Sequence, residues 1–159
     1  MKRFSSAASL ALAVVAVLGL AGPVAAQVPV PFYGRLAGVD IGTPQVPPLV
    51  SVQVKATGTA TQLGTFTYLG LFTVNAATRM GSGTFLFTAA NGNTVFGTIS
   101  GQATFTPPNV LTIKEIGTIT GGTGRFAGVT GSFSMTRLKN TVTGATSASF
   151  LGTISAPGP

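Results

Sequence analysis

Hydrophobic and polar residues alternate with a period of two through most of this chain. In Thr65-Phe66-Thr67-Tyr68-Leu69-Gly70-Leu71-Phe72-Thr73-Val74, one face carries Phe66, Tyr68, Phe72 and Val74, and the other carries Thr65, Thr67 and Thr73. Val50–Ala56, Thr84–Thr88, Ser132–Arg137 and Ala148–Ile154 alternate in the same way. Side chains of a strand point to opposite faces in turn, so this pattern predicts strands with one buried face. The abundant Thr, Val, Ile and Phe suit a pleated surface because their branched or aromatic side chains pack well on it.

Turn residues fall between these runs. Asn91-Gly92 is the strongest signal, since both residues tolerate the positive φ of a tight hairpin turn. Asn75–Gly81, Pro107-Pro108-Asn109 and Asn140–Gly144 read as further reversals. The pattern predicts about eight strands, at Phe32–Ile41, Val50–Thr57, Gly64–Val74, Gly81–Ala89, Thr94–Thr106, Val110–Gly121, Ser132–Lys139 and Thr146–Ser155. Short connections pair consecutive strands antiparallel, and closure removes exposed edges. The predicted fold is all-β: a single antiparallel, closed barrel of about eight strands. Residues 27–49 hold the first strand and a Pro-rich loop (Gly42–Pro48), and 50–155 hold the rest of the barrel. Gln27–Pro31 and the tail at 156–159 read as frayed.

Gly97, Gly101, Gly117 and Gly152 share the face of Val95, Ile99, Ile119 and Ile154. Glycine on a buried face lets a strand bend, or leaves room for a ring or a ligand. Parity therefore leaves both a Phe-filled and a hollow interior open.

The first 26 residues carry a different signal. Lys2 and Arg3 precede the apolar run Ala8–Ala21, Pro23 interrupts it, and Val24-Ala25-Ala26 places small residues before Gln27. This is the layout of a secretory signal peptide cleaved after Ala26, and it predicts a secreted or periplasmic protein. The run is shorter than a bilayer span requires. In the remaining chain the aromatic face is opposed by a Thr face, which suits a barrel that does not cross a membrane.

Composition narrows the chemistry. The 159 residues include nine Lys and Arg, two acidic residues, and no His, Cys or Trp, for a formal charge of +7. The basic residues beyond the leader (Arg35, Lys55, Arg79, Lys114, Arg125, Arg137, Lys139) are scattered, whereas a nucleic-acid footprint needs a dense stripe. Weak attraction to an anionic envelope is the expectation instead. Without His or Cys there is no Ser-His-Asp site and no thiol chemistry. Two carboxylates, Asp40 and Glu115, far apart in sequence, build neither a zinc nor a calcium site. No cofactor or metal is expected, and the composition leans away from an enzyme.

Gly121-Gly122-Thr123-Gly124-Arg125-Phe126-Ala127-Gly128-Val129-Thr130-Gly131 matches a loose dinucleotide pattern, but no helix opens after it and no acidic residue follows Glu115. The segment reads as a tight connection with glycines at positive φ and Phe126 plugging the barrel end. Together with the hairpin Gly83-Thr84-Phe85 to Asn93-Thr94-Val95-Phe96-Gly97-Thr98, it resembles the allene oxide cyclase and dirigent-like barrels. The likeness is closer to a group of small exported bacterial proteins of that type, and spans most of residues 50–155. The resemblance implies an eight-stranded antiparallel barrel. Plant members steer a reactive hydrophobic substrate inside an apolar cavity, but no matching motif carries their functional residues onto this chain.

One constellation stands out. Glu115 shares parity with Leu111, Ile113 and Ile119, and Arg137 with Phe133 and Met135, so both point inward. A buried carboxylate needs a partner, and Arg137 is the natural one. Glu115 and Arg137 are the candidate polar anchor of a pocket, with Tyr68, Phe66, Phe85 and Phe133 as its candidate lining. An internal structural ion pair, or a β-bulge turning Glu115 outward, are the alternatives. The expected role is noncatalytic binding of a small hydrophobic ligand, or an envelope-associated structural part. The rival is cyclase- or dirigent-like steering of a hydrophobic substrate inside the barrel.

Overall fold

The computed structural model describes residues 28–159, and the signal peptide expected at 1–26 lies outside them. Eight strands follow one another: β1 (Pro29–Pro44), β2 (Leu49–Ala60), β3 (Gly64–Asn75), β4 (Met80–Ala89), β5 (Thr94–Thr106), β6 (Val110–Gly122), β7 (Gly131–Asn140) and β8 (Ala145–Ser155). Each pairs antiparallel with the next, and β1 pairs with β8, so the sheet closes into a barrel without an edge. The alternation read from the sequence is the in–out alternation of this wall. Phe66, Tyr68 and Phe72 are buried along β3, while Thr65, Thr67 and Thr73 face outward.

β1 runs past both of its expected bounds: Gly42–Pro44, expected to begin the Pro-rich loop, pair with Val52–Val50 of β2. Pro29–Pro31, expected to fray, are paired with Ser155–Thr153 of β8. The tail at 156–159 is tied down too: the Ala156 amide donates to the Val28 carbonyl and the Gly158 amide to the Arg125 carbonyl. Local composition gives no hint of these long-range hydrogen bonds.

The interior has two halves. In one, Phe32, Phe66, Phe85, Phe87, Phe133 and Phe150 form a continuous cluster with ring centroids 5.0–6.2 Å apart, mostly edge-to-face or tilted. Rings at such separations gain from quadrupole alignment beyond simple burial. The β6–β7 connection closes this end. A single 3₁₀ turn at Gly124–Phe126 buries Phe126 and Val129 completely, and Gly124 and Gly128 take φ of 59° and 73°. Inward-facing glycines accommodate the rings: a Cβ on Gly97 would come within 3.0 Å of Phe85, and one on Gly117 would enter the Phe133 ring. The other half of the barrel is open.

Candidate functional site

The open end holds four charged side chains. Glu115 and Arg137 stand on neighbouring strands, β6 and β7. Glu115 pairs directly with Met135, which places Arg137 one diagonal step away. Diagonal neighbours on one face lie within reach of long side chains. The Arg137 Nε donates to Glu115 Oε2 at 3.1 Å and Nη2 to Oε1 at 2.8 Å, a two-pronged contact. Both residues are buried, 3–4% exposed. The sheet does contain a bulge, but it lies between Phe96 and Gly97, where β5 meets the far end of β6. The ladder around Gly101–Glu115 is unbroken, so the inward parity of Glu115 survives.

Two further residues join this pair. Asp40 on β1 accepts from Arg137 Nη1 through Oδ2, and from Lys139 Nζ through Oδ1 at 2.5 Å. Asp40 is separated from β7 by β8, whose inward residues opposite Lys139 and Arg137 are only Thr146 and Ala148. These small side chains let the β1 carboxylate meet the β7 cations over the top of β8. Asp40 shares parity with Phe32 and Leu36, and Lys139 with Arg137, so alternation is the signal that could have found both, although the sequence reading singled out neither. The two acidic residues, far apart in sequence, thus converge on one guanidinium.

The arrangement is saturated. All four carboxylate oxygens are engaged, and no buried side-chain nitrogen or oxygen among the described residues lacks a partner. Burial by itself pulls the Arg137 pKa down, but the hydrogen bonds and charges of Glu115 and Asp40 outweigh it and hold the pKa above its ordinary value. The guanidinium also sits 5.4 Å from the Phe72 ring centroid, a cation–π contact at the base of the cluster. Tyr68 lies beneath, its ring 5.0 Å from that of Phe87. Burial, and then the Glu115 charge, push the Tyr68 phenol well above the usual tyrosine range, with Arg137 opposing weakly.

Above this floor opens a cavity of about 280 Å³. Asp40, Glu115, Arg137 and Lys139 form one side. The rest is mostly apolar, with Val52, Phe72, Val74, Ala103 and Ile113 on the wall and Arg79 at the rim. The expected anchor, Glu115 and Arg137, therefore borders the cavity. The expected lining does not: Tyr68, Phe66, Phe85 and Phe133 are buried in the aromatic half or at its boundary. Parity says which residues point inward but not at what height. Rings near the middle pack on one another, while the smaller Val, Ile and Ala near the end leave the space. Gly101 contributes as well, since it faces Glu115 across the β5–β6 ladder and lines the same cavity.

No metal-binding cluster of acidic or sulfur and imidazole side chains occurs among the described residues. No described helix is long and apolar enough to cross a membrane. Comparison with family models, with curated proteins and with solved structures finds no match to this chain.

Proposed function

We propose that the chain is an exported, noncatalytic barrel that binds a small hydrophobic ligand in the cavity beside the Asp40–Arg137–Glu115 cluster. The observation that carries this reading is the pairing of an open, mostly apolar cavity with a saturated ion cluster lining one side of it. Small-molecule sites combine this kind of apolar wall with a few convergent polar groups. Both carboxylates are held by cations, which favours an orienting role over proton transfer. The volume bounds the occupant. It is about twice that of an engineered apolar cavity of about 150 Å³ that holds benzene, so one or two rings or a short alkyl chain would fit.

The test is native mass spectrometry of protein purified from its own host, followed by titration of the emptied protein with naphthalene-sized apolar probes. A retained mass, or saturable probe binding that Ala103→Phe abolishes without lowering the unfolding midpoint, is the expected result. An empty cavity that takes up no probe would overturn the ligand reading and leave an envelope-associated structural role.

A further inference from the structure

The two ends of the barrel differ in what their connections expose. At the closed end, the connections between strands turn their apolar side chains inward: Leu63, Phe126 and Val129 are buried, the β4–β5 turn is Ala90-Asn91-Gly92-Asn93, and Val28, ahead of β1, is an exposed apolar group outside any hairpin. At the cavity mouth, the connections and hairpin ends present Val46 (81% exposed), Val142 (73%), Met80 (57%) and Phe105 (41%). These four come from the β1–β2, β7–β8, β3–β4 and β5–β6 hairpins, so every hairpin at this end offers an apolar group.

Exposed cations occur at both ends, since Arg35 on β1 and Arg125 in the β6–β7 connection are exposed toward the closed one, so the apolar tips are what single out the mouth. The chain has only two acidic residues, and both are buried beneath the mouth, neutralised by Arg137 and Lys139. Arg79 is exposed on the rim. Lys114 is exposed on the outer wall, in the cross-strand row that runs Met80, Gln102, Lys114. Neither cation has a carboxylate side chain left to pair with. The mouth therefore combines projecting apolar groups with uncompensated positive charge and no exposed acid.

We propose that this rim docks on an anionic lipid surface, with the cavity mouth facing the bilayer. Apolar tips enter the boundary between headgroups and acyl chains, while Arg79 and Lys114 sit against anionic headgroups. Charge complementarity selects the anionic surface. The apolar tips select a lipid surface over a soluble polyanion, which would use the cations and leave the tips in water. The proposal stands whether or not the cavity holds a ligand.

The chain contains no Cys, so a single introduced thiol is a unique label site. The full chain carrying Val142→Cys, Val46→Cys or, at the closed end, Asn91→Cys is labelled with an environment-sensitive nitrobenzoxadiazole dye. Each is mixed with vesicles of phosphatidylcholine alone or with added phosphatidylglycerol. The expected result is a several-fold rise and blue shift in emission at positions 142 and 46, only with phosphatidylglycerol present, and no response at 91. Arg79→Asn and Lys114→Gln should each weaken the response about fivefold. Asn suits the φ of 58° at position 79. An equal response at position 91, a response indifferent to phosphatidylglycerol, or binding that leaves the rim labels in water would each overturn the proposal. The last would mark simple adsorption to polyanions.

Discussion

Gly101 lies directly opposite Glu115 across the β5–β6 ladder, and a Cβ at Gly101 would come within 2.6 Å of Glu115 Cγ and 2.5 Å of the Lys114 carbonyl oxygen. The missing side chain on β5 is what gives the buried carboxylate its room. Gly101→Ala should therefore strain a backbone that cannot move away, costing about 1–3 kcal/mol as overpacking does. Urea denaturation should show a lower midpoint with an unchanged slope. An unaltered midpoint would mean that β5 relaxes freely at this position.

Removing the shared cation should cost more than removing the whole pair. Arg137→Met leaves Glu115 buried without its guanidinium, for a loss of about 3–5 kcal/mol. The double variant Arg137→Met/Glu115→Leu leaves Asp40 still paired with Lys139 and should regain most of that stability. A double-mutant cycle on unfolding free energies checks this, since residues in one network couple strongly. Additive losses would show that the ion pair is not a unit.

Tyr68 should make stability fall at alkaline pH. Burial raises its phenol pKa in the fold, whereas an unfolded tyrosine titrates near about 10. Above that pH the unfolded chain binds fewer protons than the native one. The Tyr68 contribution is therefore complete below about pH 10 and is lost as the pH climbs toward the native value. In a Tyr33→Phe background Tyr68 is the sole tyrosine, and its tyrosinate absorbance should appear only with unfolding. Tyr68→Phe should flatten the alkaline slope of stability against pH.

The closed half can be probed through Gly117, where a Cβ would enter the Phe133 ring. Gly117→Ala should lower stability by about 1–3 kcal/mol. Adding Phe133→Leu should recover part of the loss by shrinking the obstructing side chain. Thermal unfolding of the two variants and the double distinguishes ring crowding from loss of backbone freedom, because only crowding is relieved by the second change.

The wall of the barrel and the inward aim of Glu115 and Arg137 were legible because strand parity is local. A side chain two residues away points the same way whatever the rest of the chain does. The same rule was available for Asp40, in line with Phe32 and Leu36, and for Lys139, two residues beyond Arg137, but neither sits in a run that draws attention to it. The aromatic residues expected to line the cavity point inward as parity requires, yet they occupy the filled half. Height along the barrel depends on strand stagger, which no single strand encodes.

Sequence alone determined that the chain forms eight facing strands, which of their side chains turn inward, and that two acidic residues with no His or Cys leave little reactive chemistry. Tertiary structure decided what those inward groups meet. Closure of β1 onto β8 brought Asp40 across Thr146 and Ala148 to Arg137 and Lys139, and the stagger of the strands separated a packed aromatic half from a hollow charged one. The physical reason is that direction follows from the covalent geometry of each residue, while contact between residues nearly a hundred positions apart follows only from how the sheet closes.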